Sequence, residues 1–279
     1  MFARLDHIQI LSPAPERLAH FYQDVMGMAA EQIAAEVWLC QGSQRRLLIG
    51  KKLSRVLGFG AFGCTNSDDL SLLRARLLAQ GVSLDPSPSP LFADNAFSFS
   101  DPDGNCIVFG VARHSKPNDD AAKGILLPAR LQHLTVGSRN AEALVHFYRD
   151  TIGLVISDMM RDETEVSACW LRTPDDAEHH SFAIFRTEMN ELDHYSYELD
   201  DWAGIRDWAD HFAKKGFKLF WGPGRHGPGN NLFIFVLDPD GNKIELSAEL
   251  ETMDKGRPAG SWRHEPDTLN LWGPSFMRS

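Results

Sequence analysis

The segment Lys243-Ile-Glu245-Leu puts a carboxylate on an apolar run of strand length, just after the turn Asp238-Pro-Asp-Gly241-Asn. A glutamate among apolar neighbours needs a cation, a metal or an exposed face, because burying a lone charge is costly. The chain carries a second copy of this hairpin: Phe97-Ser-Phe-Ser100, Asp101-Pro-Asp-Gly104-Asn, then Cys106-Ile-Val108-Phe. Val108 occupies the place of Glu245, so the hairpin itself does not require a carboxylate. A solvent-facing strand residue is the plain alternative. Two histidines follow the same logic. His133 in Leu131-Gln-His133-Leu-Thr-Val and His194 in Leu192-Asp-His194-Tyr each lie on a strand-like run, and their earlier counterparts are His7 and Phe59. The C-terminal half therefore keeps a His, His, Glu set that its duplicate has lost. Two imidazoles and one carboxylate, with other positions open, form the facial triad suited to non-haem Fe(II) and O2 chemistry. Each residue alone reads as a structural or surface group; the loss of two of the three from the duplicate, where only His7 is kept, points to a metal.

Two more histidines fall at suggestive distances. His180 lies fourteen residues before His194, and His226 lies nineteen before Glu245 in the glycine-rich run Gly222-Pro-Gly-Arg-His226-Gly-Pro-Gly. An imidazole beside a metal can move a phenolic proton and steady developing charge. His179 has no separate role in the sequence, and His146 and His211 fall within helices as surface or packing residues.

These residues need a scaffold, and the chain supplies one by duplication. Leu5-Asp-His7-Ile-Gln-Ile reads as a strand, and Leu18, Phe21, Tyr22, Val25 and Met26 mark one helical face before Gly27. The pattern returns as Leu131-Gln-His133, then Leu144, Phe147, Tyr148, Ile152 and Gly153. Each half holds a second such unit, with helices N-capped by Asn66 or Ser67 and by Asp200 or Asp201, and ended by Gly81 and Gly216. The reading is an α+β chain of four βαβββ modules, near 4–55, 56–113, 129–188 and 190–250. They pair into an N-terminal domain (1–120) without a metal site and a C-terminal domain (121–250) with one. A polar linker, His114 to Lys123, joins them, and a tail (251–279) carries no readable pattern. The offset between halves grows from 126 at His7/His133 to 137 at the Asp-Pro-Asp-Gly turns. The extra residues fall in loops near Thr173 to His180 and near His226. The glycine- and proline-rich run before Leu232 reads as an ordered loop.

The chain has 279 residues, 43% of them hydrophobic, which is ample for two cores. A net charge of −10 with no Lys or Arg run argues against nucleic acid or an anionic membrane as a partner. No apolar stretch approaches the ~20 residues of a membrane-spanning helix, and the start has no signal-peptide pattern. Four cysteines without CxxC spacing read as reduced thiols in a cytoplasmic protein.

Across about residues 4–250 the sequence resembles the type I extradiol ring-cleavage dioxygenases of the vicinal oxygen chelate superfamily. The resemblance implies His133, His194 and Glu245 as ligands of Fe(II), or of Mn(II) as the nearest alternative. It implies His180, in His180-Ser-Phe-Ala, as the acid–base residue and His226, in Gly-Arg-His, as the second active-site histidine. It further implies a catechol-type substrate, cleaved with O2 beside its hydroxyls, in a homo-oligomeric enzyme. One position departs from the family: a tyrosine is usual nine residues after the loop histidine, and here that residue is Phe235. Either Tyr195, Tyr197 or His226 supplies the missing donor, or the pocket favours a bulky apolar substrate. Trp170, Trp221 and Trp262 are candidate aromatic walls. Two rivals share the fold: a glyoxalase-like metal-dependent lyase or isomerase, which wants a second glutamate as base, and a non-catalytic binder of aromatic ligands.

Overall fold

The duplicated pattern becomes two mixed sheets in the computed structural model, which describes residues 2–53, 55–113, 127–254 and 256–275. The first module is β1 (Ala3–Ser12), α1 (Pro15–Asp24), β2 (Ala29–Ala34), β3 (Val37–Gly42) and β4 (Arg45–Lys51). The second is β5 (Val56–Cys64), α2 (Ser67–Ala79), β6 (Asp85–Pro86), β7 (Phe97–Ser100) and β8 (Cys106–Gly110). They form one sheet in the order β2-β3-β4-β1-β5-β8-β7-β6, joined at the antiparallel pair β1/β5. The third module is β9 (Arg130–Ser138), α3 (Ala141–His146), β10 (Val155–Arg161), β11 (Val166–Arg172) and β12 (Phe182–Arg186). The fourth is β13 (Glu191–Leu199), α4 (Trp202–Lys214), β14 (Trp221–Arg225), β15 (Leu232–Leu237) and β16 (Lys243–Ala248). The second sheet runs β14-β15-β16-β13-β9-β12-β11-β10-β17, where β17 (Gly260–Arg263) comes from beyond the four modules. Four βαβββ modules in an α+β fold is thus what the chain forms. The linker His114 to Lys123, and with it the 120/121 boundary, lies outside the described residues.

Local chemistry explains the boundaries. Asn66 accepts a hydrogen bond from the Asp69 N–H at 2.8 Å and caps α2; Asp201 accepts from Gly204 at 3.1 Å and caps α4. Gly81 and Gly216 follow these helices at φ +77° and +83°, a region open to glycine. The third helix differs from the continuous α-helix its spacing suggests. After α3 the backbone widens into a π-helical turn over Phe147–Ile152, and the Gly153 N–H reaches back to the Tyr148 carbonyl at 3.1 Å. The stretch read as a loop before Leu232 also differs, since Trp221–Arg225 pair with β15 as a strand. The tail docks as well: β17 pairs in parallel with β10, and α5 (Pro266–Leu269) packs Leu269 beside the last strands.

A continuous apolar core runs through both sheets. Each half also completes the other's turn. The Tyr22 hydroxyl from α1 donates to Asp238 at 3.1 Å, and the Tyr148 hydroxyl donates to Asp101 at 2.8 Å. The shared Phe-Tyr and Asp-Pro-Asp-Gly sequences therefore have a structural purpose, to tie helix of one half to turn of the other. Among the described residues no helix is long and apolar enough to cross a membrane.

Candidate metal centre

Three adjacent inner strands of the second sheet, β16, β13 and β9, bring Glu245, His194 and His133 together. His133 pairs with Ser196, and Ser196 pairs with Glu245 on its other side, so the three lie in one row. His194 is two residues before Ser196 and shares its face, as the two-residue period of a strand requires. Each candidate ligand histidine follows a bulge: Gln132 and Asp193 are the unpaired residues where the register slips. The bulges let neighbouring side chains meet. His133 Nδ1 donates to Gln132 Oε1 at 2.5 Å, and His194 Nδ1 donates to Asp193 Oδ1 at 2.5 Å. Lys243 holds Asp193 in turn, at 3.1 Å. With Nδ1–H committed, each ring turns the lone pair of Nε2 into the site, the usual way an outer residue sets a ligand's tautomer.

The donor atoms fit a metal. His133 Nε2 lies 3.0 Å from Glu245 Oε2, His194 Nε2 lies 3.3 Å from that oxygen, and the two nitrogens are 3.2 Å apart. Bonds of about 2.1 Å at right angles would separate two donors by about 3.0 Å. All three residues are buried, and together they form a group able to hold an ion. Burial alone would raise the Glu245 carboxyl, but His133 and the contacts of His194 and His226 outweigh it and hold it well below its ordinary range. It is a carboxylate, ready to ligate. Burial also lowers His133, which favours the neutral imidazole a metal needs.

These residues line one pocket. His180 and His226 face it too, so all five site residues picked from the sequence meet in one place. The His180 ring sits 4.5 Å from that of His133, and burial, with His133 and His179 alongside, holds it well below its ordinary pKa. His226 stacks on Phe233 at 3.9 Å, donates from Nδ1 to the Leu269 carbonyl at 2.6 Å, and turns Nε2 to Glu245 Oε1 at 3.4 Å. Asn231 also donates to Glu245, at 3.3 Å. Trp170, Phe185, Trp221, Phe235 and Leu269 form the apolar walls. Trp262 packs against that cluster.

Phe235 pairs with Glu245 across β15 and β16, and its ring meets the His194 ring edge-on at 5.3 Å. Tyr195 and Tyr197 do not replace the missing hydroxyl. Alternation along β13 turns them away from His194 and Ser196 into the main core, where the Tyr195 hydroxyl meets that of Tyr22. His226 is the remaining donor of the three expected. Sequence reading missed Asn231, Gln132, Asp193, Asp158 and His179. A polar residue directly before each ligand histidine was the available signal for two of them.

The first half shows what the site becomes without its ligands. His7 pairs with Ala61, and Ala61 with Val108, matching the row of His133, Ser196 and Glu245. His7 is bound instead to Asp6 at 2.5 Å and Ser89 at 2.6 Å, edge-on to Phe59 and Phe92. Leu48, Phe59, Phe92 and Val108 fill the equivalent space.

A family model described as "Glyoxalase/Bleomycin resistance protein/Dioxygenase superfamily" matches residues 4–109 and 130–246. "Metapyrocatechase 2" of Cupriavidus necator is 28% identical over 239 residues, 78% of this chain and 72% of that protein. "Iron-dependent extradiol dioxygenase" of Rhodococcus jostii (strain RHA1) is 24% identical over 238 residues, 79% of this chain and 78% of its own length. Homoprotocatechuate 2,3-dioxygenase from Arthrobacter globiformis superposes with a TM-score of 0.84 at 18% identity, covering 98% of this chain and 88% of that one.

Proposed function

The chain belongs to the glyoxalase/bleomycin resistance protein/dioxygenase superfamily, and from that membership and the site's make-up we propose that it is an Fe(II)-dependent extradiol dioxygenase. It cleaves a catecholic ring with O2 beside the hydroxyls. The observation that carries this reading is the trio of donor atoms 3.0–3.3 Å apart with two further histidines in the same pocket. His133, His194 and Glu245 would hold Fe(II), with Mn(II) the nearest alternative. When bound, the metal supplies Lewis acidity and a path for electrons between catechol and O2. The apolar walls orient an aryl ring and exclude water. His180, neutral and buried, takes a phenolic proton. His226, whose Nδ1 is held by the Leu269 carbonyl, has Nε2 as the nitrogen that faces Glu245 and the pocket, where a substrate oxygen can compete for it. Among the described residues Glu245 is the one carboxylate lining the pocket, so the second glutamate of a glyoxalase-like lyase has no equivalent there. In this reading residues 1–120 form a domain without metal, 121–250 the catalytic domain, and 251–279 a C-terminal tail, of which Leu269 lines the pocket. A homo-oligomer in the cytoplasm belongs to the same reading, in keeping with four free thiols.

The test is anaerobic reconstitution with Fe(II), followed by metal analysis and O2 uptake with simple, carboxylated and aryl-substituted catechols. Wild type should hold about one metal per chain, and Glu245→Ala should lose it, because two ligands bind far more weakly than three. His180→Phe should keep the metal while ring cleavage slows about 10²–10⁴-fold. Full iron in His194→Ala would overturn the ligand set. No O2 uptake with any catechol by the iron-loaded protein would overturn the activity.

A further inference from the structure

Arg45 opens β4 and is 2% exposed, which is rare for a guanidinium that always carries its charge. Its Nε and Nη1 are buried and make no hydrogen bond to any described residue. No carboxylate among the described residues stands against it; the one ionisable side chain acting on it is Tyr197 of β13, whose own buried hydroxyl has no hydrogen-bond partner there either. The next residue shows the ordinary solution, since Arg46 is paired with Asp6. Arg45 instead lies 5.5 Å from the Trp208 ring of α4 and against Gly42, where a Cβ would fall 2.7 Å from Nε. The aromatic face offsets part of the burial, but an unpaired charge taken out of water still calls for an anion.

Arg45 also lines a cavity where the two halves meet. Ser43 and Gln44 come from the turn before β4, Leu127, Pro128 and Ala129 from the approach to β9, and Leu199 from the end of β13. These walls are fastened: the Gln44 carbonyl accepts from the Leu131 N–H at 3.1 Å, and the Pro128 carbonyl from Trp208 Nε1 at 3.2 Å. Three other charged residues reach the cavity. Arg130 is paired with Glu178 at 2.8 Å, Glu198 is bonded to Ser247 and the Leu250 N–H, and Asp200 is exposed. None of the residues around this cavity lines the metal pocket.

From this geometry we propose that the cavity between the halves is a binding site for a monocarboxylate with a short apolar body. The planar fork of Arg45 matches a carboxylate bidentately, and Leu127, Pro128 and Leu199 receive the body. Glu198 and Asp200 select against ions of higher charge, because their repulsion grows with each added negative charge. The bound acid touches β4 from one half and β13 from the other, so occupancy stabilises the folded chain by mass action.

The experiment titrates the purified full-length chain with benzoate, isobutyrate and inorganic phosphate. Thermal unfolding and the ¹⁵N–H resonance of Arg45 Nε are followed together. Benzoate or isobutyrate should raise Tm in a saturable way and move the Arg45 resonance, with phosphate at least about tenfold weaker. Arg45→Met should abolish the rise, and Arg45→Lys, which keeps the charge without the fork, should weaken it about tenfold. Should Arg45→Met fail to fold, Arg45→Lys and the wild-type resonance decide. No saturable rise with either monocarboxylate, an equal rise in the Arg45 variants, or phosphate as the tightest ligand would overturn the proposal. So would a change of oligomeric state in Arg45→Met without carboxylate binding by wild type, which would assign the counter-charge to a second copy of the chain.

Discussion

Phe235 is the residue where this chain parts from the pattern its relatives suggest. With Tyr195 and Tyr197 turned into the core, the wall beside His194 offers an aromatic face and no hydroxyl. A hydrogen bond to a charged oxygen contributes about 1.5–3 kcal/mol, so Phe235→Tyr should restore a donor and shift preference toward small polar catechols. Wild type should cleave at least one large apolar catechol faster than catechol itself, and O2 uptake across such a series measures the change. No change in relative rates would remove Phe235 from the specificity determinants. At this scale the sequence was unusually legible, because duplication supplied a control: Val108 and Phe59 showed that Glu245 and His194 are dispensable to the fold. His179 and Asp158 were not legible. They meet because the segment before β12 lies against β10, and nothing in a single sequence pairs residues twenty-one positions apart.

At the scale of elements, β17 and α5 finish the pocket that the modules begin. Leu269 is one of its walls and its carbonyl fixes His226, while the Gly227 N–H donates to the Thr268 carbonyl at 3.0 Å. Gly227 has no room for a side chain there, as a Cβ would lie 2.7 Å from Trp262. Deleting residues 259–279 should therefore raise KM for a catechol at least about tenfold and lower kcat, with iron retained on the three inner strands; iron loss would mean that the tail supports the ligands themselves. The tail was unreadable because four residues of edge strand and one turn of helix carry no periodicity, and their order comes from what they dock on. A second element-scale consequence concerns Glu198 on β13, which accepts from Ser247 on β16 at 2.5 Å and from the Leu250 N–H at 3.1 Å. Burial pushes its carboxyl up to about 7 despite those bonds. Between an ordinary glutamate's pKa and that value the folded protein keeps a proton that the unfolded chain has released, so stability falls as pH rises through this window. Glu198→Gln should flatten that fall, making the variant more stable than wild type at pH 8 relative to pH 5 in urea unfolding. Parallel pH profiles would refute it.

Across the whole molecule the halves are bound by reciprocal ties, Tyr22 to Asp238 and Tyr148 to Asp101. Each aspartate is buried, and burial raises its carboxyl despite the bonds it accepts. Tyr148→Phe should cost about 1.5–3 kcal/mol in urea unfolding, the size of a hydrogen bond to a charged partner, while iron content stays at the wild-type level. A loss below about 0.5 kcal/mol would show the tie to be incidental. The module plan was readable because the same turns, glycines and histidines recur, whereas the π-helical turn was not: Leu144, Phe147, Tyr148 and Ile152 suit an α-helix equally well. The row of ligands on β9, β13 and β16 has a further consequence for how the protein is born. During synthesis His133 leaves the ribosome long before Glu245, and α4 with its flanking strands must be made in between. No nascent chain shorter than the fourth module can present all three side chains, so a metal held by them would load late and report on completed assembly.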